Sequence, residues 1–110
     1  SRDFCYIDNV IEANISAALA NFDRPHNKVY NVAYGASTTL NELFDFIKLN
    51  LSSHQIHYSK DVAYLPFREG DILHSMADIS KATKEINYNP RFSLADGLKE
   101  TVAWFIENNF

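Results

Sequence analysis

The chain has 110 residues, 46% of them hydrophobic, with eight Phe, six Tyr and one Trp, which is enough apolar material for a core and excludes a disordered chain. At this length about two-thirds of the unfolded surface is expected to be buried on folding. Ten Lys and Arg stand against fourteen Asp and Glu, a net charge of −4, which excludes the basic face of a general nucleic-acid binder but not a small anion held by individual arginines.

Phe4, Cys5, Tyr6 and Ile7 form a short aromatic and β-branched run that predicts a strand. Asn9 and Glu12 have the spacing of a helix cap and its reciprocal partner, and Val10, Ile11, Ile15, Ala18 and Phe22 recur at helical spacing, predicting a buried face. Arg24, Pro25, His26 and Asn27 break that pattern. Val29, Tyr30, Asn31, Val32 and Ala33 predict a second strand, closed by Gly35. Thr39 and Glu42 form another capping box, followed by an apolar stripe of Leu40, Leu43, Phe44, Ile47 and Leu51. Ile56, His57, Tyr58 and Ser59 then predict a third strand. Strand, helix and strand with short links make a βαβ unit with parallel strands.

Residues 60–77 carry little periodicity. Asp78 is placed to cap a short helix through Ala82 to Ile86, stopped by Asn87, Tyr88, Asn89 and Pro90. Ser93, with Asp96 in the first turn, caps a last helix whose buried face is Leu94, Leu98, Thr101, Val102, Phe105 and Ile106. The expectation is one compact α/β domain over residues 1–110, with short, mostly parallel strands and about four helices.

Most self-contained enzyme signatures are missing. Gly35, Gly70 and Gly97 are too far apart to form a phosphate-cradling loop. His26, His54, His57 and His74 lack metal-ligand spacing, and Cys5 is the only cysteine, so no metal site and no catalytic set is expected. A lone cysteine also rules out an internal disulfide and points to the cytoplasm. No apolar run approaches the ~18 residues of a membrane span. The chain opens on Ser1, Arg2 and Asp3 without a signal peptide, as an excised piece of a longer protein would.

What remains is Phe67, Arg68, Glu69, Gly70 and Asp71, followed by Ser75, Met76, Ala77 and Asp78. Arginine offers a planar fork for phosphate oxygens, and an aspartate can accept from vicinal hydroxyls. Gly70 allows the turn that would aim both at one ligand. The alternative is a surface turn with a local ion pair worth ~0–1 kcal/mol. Arg2 and Asp3 are a second candidate pair, and Arg2 with Arg68 could clamp a diphosphate if the two segments meet. A solvated strand end is the alternative there.

The run from Arg2 through Val10, the segment from Val29 to Ala33 with Thr39 and Leu40, Arg68 to Asp71, Ala77 to Ala82, Tyr88 to Pro90, and Ser93 through Gly97 and Leu98 to Trp104 resemble, in this order, the C-terminal part of extended short-chain dehydrogenase/reductases acting on nucleotide sugars. The resemblance spans essentially the whole chain, and its nearest form is the UDP-N-acetylglucosamine 4-epimerase group of polysaccharide biosynthesis. It implies a small C-terminal substrate domain without its Rossmann half. Arg2 and Arg68 would contact the UDP diphosphate and Asp71 the uridine ribose. Ser75 would line the hexose pocket, its small side chain leaving room for an N-acetyl group; an ordinary polar strand residue is the alternative. NAD would belong to the full-length enzyme, a homodimer, and not to this piece, which has neither a Gly-rich turn nor a Tyr-x-x-x-Lys pair. The chain would then be inactive alone. Related dehydratases and decarboxylases share the implied motifs, and a non-catalytic binding module is the reading from another class.

Overall fold

The computed structural model describes residues 1–20 and 27–109; Phe22 and the breaker residues Arg24, Pro25 and His26 lie outside them. Four helices are found among these residues: α1 (Ile7–Leu19), α2 (Leu40–Ser53), α3 (Ser80–Ile86) and α4 (Leu94–Asn109). Helix α2 packs on α4, and α1 on α3.

Two of the helix starts follow directly from local sequence. Thr39 Oγ1 accepts from Glu42 N at 3.2 Å while Glu42 accepts from Thr39 N at 2.8 Å. Ser93 and Asp96 repeat the arrangement at the head of α4. Each box satisfies N–H groups that a helix start leaves unpaired. Helix α3 starts at Ser80, whose N–H donates to Asp78 Oδ1 at 2.8 Å. It ends at Asn87, which adopts a left-handed φ of 55°, as helix ends do.

The strands are where the structure departs from the sequence reading. Among the described residues the only β pairing is an isolated antiparallel bridge between Arg2 and Thr38, so the parallel βαβ arrangement is not found. Residues 29–33 are instead tied to helices and loops by side chains. Lys81 Nζ donates to Val29 O at 2.7 Å, Tyr88 OH donates to Ala33 O at 2.7 Å, and Asn31 Nδ2 donates to Asp78 O at 3.2 Å. Residues 56–59 turn back on α2 after Gln55, which has φ 63°, and Tyr58 meets Phe44 edge-on at 6.0 Å. Residues 4–6 lead into α1 without pairing.

Helix α1 also presents a different face from the one expected. Asn9 is not a cap but a fully buried residue inside the helix. Its side chain accepts from Arg91 N and Phe92 N, both at 3.0 Å, and donates to Phe92 O at 2.7 Å. Glu12 pairs with Arg91 rather than with the helix start. These bonds turn Asn9 and Ala13 inward, and the small Ala13 lets α3 approach. Ile7, Ile11 and Ile15 are left about half exposed. The core is correspondingly small: Ala13, Ala82, Ile86 and Tyr88, flanked by Ala20, Tyr30, Val32 and Ile79. On α4, Val102 is buried as expected, but Phe105 is exposed.

The molecule is flat, 55 × 37 × 19 Å, with a radius of gyration of 17.2 Å, where a compact chain of this length has about 13 Å. It exposes 8583 Å², against about 6200 Å² for a compact monomer of its mass. Roughly half of the unfolded surface is buried, short of the expected two-thirds. The reason is visible in the exposed Leu19, Val29, Tyr64, Leu65, Phe67 and Trp104.

Two predictions follow from the packing. A Cβ on Gly97 would lie 2.5 Å from Tyr6 Cγ and 2.7 Å from Tyr6 Cβ, and no side-chain rotation moves Tyr6 Cβ away. Gly97→Ala gains about 1 kcal/mol of helix propensity but overpacks this contact, so a net loss of about 1–3 kcal/mol is expected in urea denaturation; a raised midpoint would contradict it. The second concerns acid. Thr39 holds the Glu42 carboxyl below its usual range, Ser80 does so for Asp78, Lys28 and then Tyr30 for Glu85, and Ser93 for Asp96. Each folded carboxyl is the stronger acid, so the unfolded chain takes up protons first. Stability should be full above the ordinary carboxylate range near pH ~4 and fall as pH drops through the lowered folded values. Melting temperatures flat from pH 6 to pH 3 would contradict this.

Candidate functional site

Residues 1–3 run between two other segments and are fastened to both. On one side Arg2 and Thr38 exchange backbone hydrogen bonds of 2.9 Å. On the other, Ser1 N donates to Leu73 O at 2.6 Å and Ser75 N donates to Ser1 O at 3.2 Å. The Asp3 carboxylate closes the junction. Oδ1 accepts from Tyr34 N at 3.0 Å, and Oδ2 accepts from Gly35 N at 3.0 Å and Ala77 N at 3.3 Å. Gly35 takes a φ of +84°, a conformation that lets its N–H meet the carboxylate without a Cβ penalty.

This junction places Arg2 beside Asp71. Arg2 Nη2 lies 3.9 Å from Asp71 Oδ1, and the two side chains remain 37% and 51% exposed. Arg2 Nη1 also donates to Ser1 O at 2.9 Å, which orients the fork. Both residues line a cavity of about 270 Å³ together with Asn41, Phe67, Ile72 and Leu73. Asn41 belongs to the first turn of α2, and Tyr64 OH donates to its Oδ1 at 3.2 Å, tying residues 60–77 to that helix.

The turn expected at Gly70 forms: its φ is +83° and Asp71 N donates to Arg68 O at 3.2 Å. Arg68 itself is exposed. It does not line the cavity, and its guanidinium makes no hydrogen bond or ion pair among the described residues. Ser75 is exposed and joins the site through its backbone bond to Ser1. The structure thus unites Arg2 and Asp71, sets Ser75 alongside, and leaves Arg68 outside the cavity wall. Asp3, grouped with Arg2 in the sequence, spends its carboxylate on backbone N–H groups and serves as an anchor. Phe67, which opens the 67–71 run, reaches the cavity wall, and Asn41 joins it without any signal in the sequence. The capping box marked where α2 begins, but no local signal says which segment lies against it.

A guanidinium fork and a carboxylate on the rim of a partly apolar cavity can bind phosphate oxygens and accept from hydroxyls. They supply no nucleophile, acid or base set. No group of three or more metal-ligating side chains is found among the described residues, and no helix there is long and apolar enough to cross a membrane.

No family model matches the chain. A Methanocaldococcus jannaschii protein provisionally named UDP-glucose 4-epimerase is 35% identical over 109 residues, covering 99% of this chain and 32% of that protein. The CDP-abequose synthase of Salmonella muenchen is 32% identical over 103 residues, covering 93% of this chain and 33% of that enzyme. Homologues of this chain are UDP-sugar 4-epimerases and related extended short-chain dehydrogenase/reductases. Among solved structures, the UDP-glucose 4-epimerase of Bifidobacterium longum, in complex with NAD+ and UDP, superposes with a TM-score of 0.79 at 25% identity, over 97% of this chain and 30% of that one. The chain therefore spans about a third of the length of the relatives it matches.

The site and its anchor can be separated by mutation. Asp71→Ala removes only an exposed ion pair, so it should change stability by less than about 1 kcal/mol. Asp3→Ala strands three N–H groups that met a charged acceptor, and a loss of about 2 kcal/mol or more is expected. Chemical denaturation of both variants checks this, and equal losses would dissolve the distinction.

Proposed function

We propose that this chain is the C-terminal nucleotide-sugar-binding part of an NAD-dependent UDP-hexose 4-epimerase, cytoplasmic and dimeric when whole. The supporting observation is similarity over nearly the whole chain to about a third of such enzymes, combined with an Arg2–Asp71 pair at one cavity. In this reading Arg2 and Arg68 engage the diphosphate, and Asp71 accepts from the ribose hydroxyls. Arg68, exposed on its turn, swings over the bound nucleotide. Ser75 admits an N-acetyl group on the hexose, making UDP-N-acetylglucosamine and its C4 epimer the substrates. The large exposed surface agrees with a piece that packs against a further half.

The residues present do not fit NAD. Gly35 and Gly70 lie in separate turns and Gly97 inside α4, so no glycine-rich turn can seat a pyrophosphate at a helix start. No tyrosine is followed four positions later by a lysine. The role of this chain is to bind and orient the nucleotide; the redox chemistry that NAD supplies in such enzymes has no residues here.

A second reading, a deoxysugar synthase or decarboxylase built on the same substrate half, draws on the similarity to CDP-abequose synthase. The complete gene product should be assayed with UDP-glucose, UDP-N-acetylglucosamine and their C4 epimers. Interconversion of the acetylated pair is expected, with none by the 110-residue chain alone. Turnover by the isolated chain would overturn its assignment as a binding part alone, and loss of water from the sugar without epimerisation would overturn the epimerase reading.

A further inference from the structure

Ser1, Ser37 and His74 come from three segments far apart in sequence and share one chain of hydrogen bonds. Ser37 Oγ donates to Ser1 Oγ at 2.8 Å, and Ser1 Oγ lies 3.0 Å from His74 Nδ1. Ser1 has a single hydroxyl proton. With Ser37 donating to one of its lone pairs, Ser1 Oγ keeps that proton and a second lone pair, so it can serve either tautomer of the imidazole at Nδ1. The chain lies next to the backbone pairing of Ser1 with Leu73 and Ser75, one residue from Arg2 and three from Asp71.

Neither the Arg2–Asp71 pair nor the Asp3 anchor uses this chain. Asp3 fastens residues 34, 35 and 77, beyond the far end of the junction. At the near end Ser1 is held to residues 73 and 75 by backbone bonds of 2.6 Å and 3.2 Å, and the imidazole adds a side-chain link. Bidentate recognition of phosphate by an arginine fork depends on geometry, and such a fork works only when its supporting contacts hold it within a fraction of an ångström.

We propose that His74 is a positioning residue of the nucleotide site. Through Nδ1 and the Ser1 hydroxyl it sets the spacing between the segment carrying Arg2 and the segment carrying Asp71, and so the fit of the diphosphate. This rests on the reading of that cavity as the UDP-sugar site.

The test compares wild-type chain with His74→Ala, His74→Asn, His74→Gln, Ser1→Ala and the Ser1→Ala/His74→Ala double variant. Three quantities are read: the melting temperature, the exchange rate of the Ser75 amide without ligand, and the affinity for UDP. An asparagine amide can stand where Nδ1 does, whereas glutamine places its amide one bond further out. His74→Ala and Ser1→Ala should each speed Ser75 exchange and weaken UDP about three- to tenfold, the worth of one hydrogen bond. The melting temperature should stay unchanged. The double variant should be no weaker than either single one, His74→Asn should match wild type, and His74→Gln should not. Wild-type affinity in His74→Ala, or multiplied losses in the double variant, would overturn the role of His74 and leave the nucleotide site standing. A wild-type chain that takes up no UDP, even with exchange faster in His74→Ala, would overturn the nucleotide reading and the role of His74 with it.

Discussion

The Asp3 carboxylate is the contact on which the site depends. An extended segment must find partners for its N–H and C=O groups, and a sheet would supply them as a ladder. Here one carboxylate takes the N–H groups of Tyr34, Gly35 and Ala77. Residues 1–3 are thereby held between residues 34–38 and 73–77. Arg2 comes to face Asp71 across 69 positions of sequence because of that junction, and their own attraction, exposed and 3.9 Å long, is too weak to impose it.

The same economy holds the neighbouring core. Asn9 fills its hydrogen bonds with the backbone of residues 91 and 92, and the buried Tyr88 hydroxyl reaches Ala33 O. Burial, and then the hydrogen bond with the Cys5 thiol, hold the Tyr88 phenol above its ordinary range. These polar links fix a small core while the apolar surface of α1 and of residues 62–76 stays open. A polar frame beside uncovered hydrophobic faces suits the proposed role as a substrate-holding part.

Features set by neighbours in sequence were legible. Thr39 with Glu42, and Ser93 with Asp96, announce helix starts because the cap and its partner sit three residues apart and need nothing else. Asn87 stops α3 for an equally local reason. Asn9 and Glu12 show the same spacing, yet their partners are Arg91 and Phe92, some 80 positions away, and spacing cannot reveal that. The β-branched run at residues 29–33 was readable as extended but not as unpaired in a ladder, since Lys81, Asp78 and Tyr88 are what it meets. Of the site, the residue types of Arg2 and Asp71 suggested phosphate and hydroxyl recognition, and the fold brings these two together. The roles of Asp3 and His74 depend on which loops touch, which is a property of the whole chain.

The central claim is that the Arg2–Asp71 cavity holds the nucleotide. Titrating UDP into the isotope-labelled chain and following backbone amide shifts addresses it directly. The account predicts that the largest changes fall on Arg2, Arg68 and Asp71, with Leu73 and Ser75 following. Changes centred instead on the separate apolar cavity of about 310 Å³ lined by Cys5, Tyr6, Leu43 and Gly97, with Arg2 and Asp71 unmoved, would contradict it.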